Sequence, residues 1–299
     1  MRPTRTMDRH SEVDPLTAPL TYPGHPPQRP AVLVTGTEIF GIQPMRAAAL
    51  GQWPVQPAGY AAPDGCPGSD DTGSDGPDSD GPVRVYKPLD RFLRDQGVPP
   101  LAGRTPILSV GSNASPAQIR RKMANAGLRL VVPITQVRVH GLVAGVSAHV
   151  SKPGYVPATP VADPSAVSDM WVLWLDLEAA RALDDTEPNY QRIRLSSRYP
   201  VRLRSAPLGL PVRGCDVYVS RHGHLVDRAG EPRILTDQAT LIAGLLADVP
   251  ALTTLAGTTP GEWIRRTRDE RVRDGIRAHI LAAGIVRQAR IDAGGDSRR

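Results

Sequence analysis

Gly111, Ser112 and Asn113 lie between an apolar strand, Ile107 to Val110, and a helix opened by Ser115 and Pro116. A turn between a strand end and a helix start leaves backbone N–H groups unpaired, pointing outward at the positive end of the helix dipole. Such a cradle suits a carboxylate. Glycine at 111 lets a ligand approach the backbone, and Ser112 and Asn113 add a hydroxyl and an amide. About seventy residues further on, the segment LDDTEPNY (Leu183 to Tyr190) follows a strand and offers the carboxylate of Glu187. From spacing alone Glu187 reads as a turn residue of a surface loop, because the segment is rich in turn formers.

Two other pairs have the right atoms for chemistry. Ser147 and His149 stand two apart on an alternating strand and share a face, the arrangement of a hydrolase pair. A serine nucleophile usually sits on a sharp turn with its base brought from elsewhere, so this pair reads as a polar pocket wall. His222 and His224 flank Gly223 at a hairpin tip, and with no third ligand nearby they read as a solvated turn rather than a metal site. The two cysteines, Cys66 and Cys215, are too far apart and too few for a disulfide framework or a metal centre.

The elements that must position these residues are mostly strands. VRVHGLVAGVSAHV alternates with period two, and MWVLWLDL, YQRIRL, CDVYV and HLVD follow as β-type runs, the last two joined by a turn at SRHG. VADPSAVSD, inside the long segment KPGYVPATPVADPSAVSDM, is expected as a loop at the pocket mouth. Two helices are expected at the end, from about Asp237 to Leu246 and from Pro260 to Gln288, the second capped by Thr259 and packed through Val272, Ile276 and Ile280. Its arginines fall on the solvated face.

In order and spacing, the Gly-Ser-Asn turn and the Leu183–Tyr190 segment resemble the gamma-glutamylcyclotransferase superfamily, over roughly residues 105 to 235. PGYVPATPV before MWVLWLDL, and YVSRHGHLVDRAGEPRIL, look like the strands and hairpin that frame that family's site. The combination of GSNAS, SAH, PAT and TEPNY is most similar to a sparsely characterised bacterial branch of it. The resemblance implies an α+β fold, a small mixed β-barrel with flanking helices. It also implies that backbone amides at Val110, Gly111, Ser112 and Asn113 hold a substrate glutamyl group, that Glu187 is the catalytic carboxylate, and that His149 and Tyr190 line the pocket. Release of 5-oxoproline from a gamma-glutamyl amine or peptide needs a group that takes a proton from the substrate's α-amine and returns one to the leaving nitrogen, and one carboxylate can do both. Apolar walls such as Trp171, Trp174 and Tyr190 would suit that shuttle. Two residues depart from the family pattern: Val110 stands where a tyrosine is common, and Pro188 where glycine is usual. The alternative is a non-catalytic module on the same fold that binds a small molecule or peptide end; a third reading gives the work to partner docking by the front half.

Composition sets the frame. Among 299 residues, 31 prolines and 28 glycines concentrate at the front, where little core can form. Residues 1–30 are expected to be disordered and 31–57 to be a short apolar segment of unclear role. The aspartate-rich run at 58–82 reads as a linker, since a calcium loop would need ordered spacing and a closing glutamate. A short helix and connector fill 83–104, the main domain spans 105–288, and 289–299 is a frayed tail. The net charge of +6 is carried almost wholly by scattered arginine, with only three lysines, which argues against a nucleic-acid stripe. With no signal-peptide or membrane-length apolar run, a cytoplasmic protein is expected, with a gamma-glutamyl small molecule as partner, no membrane association, and neither metal nor organic cofactor.

Overall fold

The computed structural model describes residues 14–45, 48–57, 86–204, 209–288 and 290–294. The β-branched and alternating runs form β1 (Ala31–Thr35), β2 (Ile39–Ile42) and β3 (Val55–Gln56), then helix α1 (Leu89–Asp95) and β4 (Thr105–Ser109). Helix α2 (Pro116–Asn125) leads to the long strands β5 (Val131–Val146) and β6 (Ala158–Leu175), then α3 (Leu177–Asp185), β7 (Tyr190–Arg194), β8 (Val201–Leu203), β9 (Asp216–Ser220) and β10 (His224–Leu225). Helices α4 (Gln238–Asp248), α5 (Ala251–Ala256), α6 (Pro260–Arg266) and α7 (Glu270–Ala282) precede β11 (Val286–Arg287). No helix among the described residues is long and apolar enough to cross a membrane.

The sheet order is β3-β2-β1-β5-β6-β4-β9-β7, with β8 also on β5 and a small β10–β11 ladder apart from it. All neighbours are antiparallel except β4 and β9. This α+β sheet is open, and the barrel implied by the resemblance is not formed. Its two terminal strands, β3 and β7, do not pair, and β5 is covered along its outer edge by β1 at Val131–Thr135 and by β8 at Val137–Val139. Alternation then divides the core. Leu33 and Leu108 face one side with α1, while Val34 and Ile107 face the other with α2 and α3. A third cluster joins α4 to α7 around Trp263 and receives Val146 and Val156 from the ends of the long strands.

Several expectations change. The stretch 1–30 is not unstructured throughout: from Asp14 on it forms a strap in which Pro15, Pro19, Tyr22 and Pro27 are buried, while residues 1–13 lie outside the described set. Proline costs little further entropy to order, so a proline-rich strap can pack around one aromatic anchor. The apolar segment at 31–57 is the β1–β3 edge of the sheet, and the linker at 58–82 lies outside the described residues. VADPSAVSD belongs to β6 rather than to a separate loop, because both its ends pair with β5, and a register shift after His140 leaves only Asp163–Ala166 extra between Ala162 and Val167. Gly141 makes that bend, with φ +80° and the Tyr199 ring 3.1 Å from where a Cβ would stand. The expected helix from Pro260 to Gln288 is two. Thr259 caps α6 as its sequence suggests, but Asp269 accepts a hydrogen bond from the Arg271 N–H and starts α7 anew. The tail is docked as far as Gly294, whose N–H donates to the Arg194 carbonyl at 2.9 Å beside a Leu195–Ala293 bridge.

Because β1 is a paired strand, Leu33→Ala is expected to cost about 2–5 kcal/mol in urea unfolding. An unchanged midpoint would mean that residues 31–35 do not belong to the folded core.

Candidate functional site

Helix α3 positions the carboxylate. Asp176 caps its start by accepting the Ala179 N–H at 2.9 Å, and Leu183 is buried beneath it. At its end the Glu187 N–H donates to the Asp184 carbonyl and the Tyr190 N–H to the Glu187 carbonyl, both at 3.0 Å. Neither bond needs an N–H at 188, so Pro188 is tolerated in this turn. Asp184 is itself held by Arg192 and by the Tyr218 hydroxyl, at 2.8 and 2.7 Å, which ties the helix end to β7 and β9.

The turn after β4 is tighter than the sequence suggests. Ser112–Ala114 form a single 3-10 turn, and α2 begins only at Pro116. The cradle therefore consists of turn amides rather than the first turn of the helix. All seven residues expected at the site, Val110, Gly111, Ser112, Asn113, His149, Glu187 and Tyr190, line one pocket of about 260 Å³. The link between the two distant segments is direct: the Asn113 amide donates to Glu187 Oε1 at 3.1 Å. Trp171 and Trp174 are elsewhere, with the Trp174 indole donating to Thr135 Oγ1, so they do not wall Glu187 as expected.

Lys122 was not foreseen. Its ammonium donates to Glu187 Oε1 at 2.6 Å and to Asn113 Oδ1 at 2.7 Å, and its side chain is only 9% exposed. A buried pair of this kind persists because each charge satisfies the other. Glu187 accepts from Lys122 and from Asn113 at the same oxygen, Oε1, and among the described residues Oε2 accepts none. The sequence did hold a signal: in a chain that uses arginine almost everywhere, a lysine three residues after Ile119 and one before Met123 falls on the buried face of α2.

Tyr22 was also missed, because it belongs to the strap. Its ring stacks on Tyr155 at 4.2 Å, and its hydroxyl accepts the Ala158 N–H at 2.9 Å. The hydroxyl fills the space beside Gly111, 2.5 Å from where a Cβ would stand, so residue 111 must lack a side chain. Burial pushes the Tyr22 phenol up, further raised by Tyr155 and opposed by the Ala158 and Ser112 amides. Burial likewise takes Tyr155 up to about 12, with Glu187 adding to the rise. Arg121 and Asp14 pair at 3.1 Å and fasten the strap at the rim. A larger groove of about 1290 Å³ runs along β7, but its Arg192, Arg194 and Asp216 are paired with one another.

His149 is 8% exposed, with its Nδ1 2.6 Å from the fully buried Ser147 Oγ. Ser147 lies behind the pocket wall, where a substrate does not reach its hydroxyl, rather than in the wall as expected. His222 lies tilted against His149 at 4.5 Å between ring centres and bonds Asn189, whereas His224 is buried with an unpartnered Nδ1. Among the described residues no group of three histidines, cysteines or acids is placed to hold a metal ion.

Burial, with smaller pushes from His222 and Arg277, lowers the His149 imidazole to about 3 from its ordinary 6.5. Between those values the unfolded chain binds a proton that the folded chain refuses, so this residue removes stability as pH falls through that window. Urea midpoints measured near pH 7 and near pH 4.5 should therefore differ less in His149→Gln than in the unmodified protein. An equal difference would place a charged or solvated imidazole at 149.

No protein-family model matches the chain, and neither does any curated protein or solved structure.

Proposed function

We propose that the pocket around Glu187 releases 5-oxoproline from a gamma-glutamyl amine or peptide, and that the chain is a distant member of the gamma-glutamylcyclotransferase superfamily. The observation that supports this most is the meeting of Asn113 and Glu187 across seventy-four positions in one small polar pocket. The α-carboxylate of a bound glutamyl group would rest on the Gly111–Asn113 turn, with its α-amine toward Oε2 of Glu187. The amine nitrogen attacks the γ-carbonyl carbon and closes the five-membered ring, Glu187 takes the proton that the nitrogen sheds, and the bond to the leaving amine breaks as Glu187 returns that proton to it. Lys122 and Asn113 hold Oε1 and so aim the other oxygen. The reading takes the protein to be cytoplasmic and assigns no metal or organic cofactor to the reaction.

A second reading, a binding module, draws on the internal satisfaction of the site. Lys122 already neutralises Glu187, and the Tyr22 hydroxyl already sits beside the turn amides. Such a site could recognise a small zwitterion and turn nothing over.

Purified protein offered gamma-glutamyl dipeptides and amines should release 5-oxoproline. Glu187→Gln keeps size and hydrogen bonding but removes the base, so turnover should fall by about a hundredfold or more while ligand affinity changes little. Lys122→Met should destabilise the fold by roughly 3 kcal/mol, and adding Glu187→Gln should recover most of that loss. Ligand binding without any 5-oxoproline would leave the binding module as the function.

A further inference from the structure

We propose that His149 is a fixed hydrogen-bond donor, presenting Nε2–H to the γ-carbonyl oxygen of the substrate, and that Ser147 and Ser220 are the positioning residues that hold it in that form. The assignment of a carbonyl oxygen rests on the cyclotransferase reading; the orientation of the proton does not.

The argument counts donors and acceptors along a buried chain. The His222 backbone N–H can only donate, and it meets Ser220 Oγ at 3.0 Å. Ser220 Oγ is 2.7 Å from Ser147 Oγ, and Ser147 Oγ is 2.6 Å from His149 Nδ1. Among the described residues, Ser147 Oγ is the one acceptor within reach of the Ser220 hydroxyl proton. Ser220 therefore donates to Ser147, whose own proton goes to Nδ1 of His149. A ring protonated at Nδ1 would instead turn the Ser147 proton toward the Tyr190 hydroxyl, which lies beside it, and give up the 2.6 Å contact in which Nδ1 accepts. A neutral imidazole that accepts at Nδ1 carries its proton on Nε2, and burial keeps this imidazole neutral.

The direction gives the residue a task. The pocket holds an acceptor at Glu187 and amides at the Gly111–Asn113 turn, and His149 lines it with its ring edge-on to Tyr190 at 5.9 Å. The Tyr190 hydroxyl is committed to the Ala158 carbonyl at 2.9 Å, so it is not free to donate to a ligand. A donor that stays neutral stabilises the oxyanion forming on the γ-carbonyl without competing with Glu187 for a proton.

Nitrogen-15 correlation spectra of the full chain, with the His149 signals assigned by their loss in His149→Gln, should show Nε2–H from about pH 5 to 8. In Ser147→Ala the ring should pass to a mixture of tautomers. An Nδ1–H ring in the unmodified protein overturns the inference whether or not the protein is an enzyme. Where 5-oxoproline is released, His149→Asn, which places its amide near Nδ1, should lower kcat about a hundredfold, and His149→Gln, which reaches toward Nε2, by roughly tenfold or less. Turnover unaffected by His149→Asn overturns the donor role alone, whereas absence of turnover in the unmodified protein overturns the proposed function and leaves the tautomer result to decide the inference.

Discussion

The ladder between β5 and β6 is the contact from which the rest of the molecule is assembled. It runs from Ile134↔Leu173 to Val146↔Ala158, far longer than an ordinary pair of strands. At one end its outer edges take β1, β8 and β4, and so carry the whole sheet. At the other end Val146 and Val156 enter the helical core, where Gln238 clamps the Val156 N–H and carbonyl at 2.8 and 3.0 Å. The cores on the two faces of the sheet and the helical core are thus joined through one backbone ladder, interrupted only at the bulge after His140.

A pocket with so many polar groups survives burial because almost every group in it has a partner. Lys122, Asn113 and Glu187 close a triangle, and Ser220, Ser147 and His149 form a second, buried chain that reaches the pocket at His149. Unpaired, any of these groups would cost more than the bond returns. The same satisfaction restricts what a ligand can do. A ligand that leaves the triangle intact has the free oxygen of Glu187, the turn amides and the outer edge of His149 to bind to.

The sequence made the strands legible where alternation was strong, as in β5, and the meeting of the Gly-Ser-Asn turn with Glu187 legible through resemblance. What it hid depended on long-range pairing. The occupied edge of β5 could not be read from β5 itself, since β1 and β8 lie far from it in the chain and reach it from both directions. Tyr22 sits in a proline-rich stretch whose composition points to disorder, and only its stacking on Tyr155 gives it a place. Ser147 and His149 were recognisable as one face, but the partner that orients them, Ser220, comes from another strand seventy-three positions away.

β7 ends the sheet, and a terminal strand presents unpaired amides that a second chain can copy. Here Ala293 and Gly294 occupy the last part of that border, and charged side chains at Arg192 and Arg194 line what is left. The border is therefore short and interrupted, and the arginines along it are paired with Asp184 and Asp216, so little of its backbone is left open for another strand to copy.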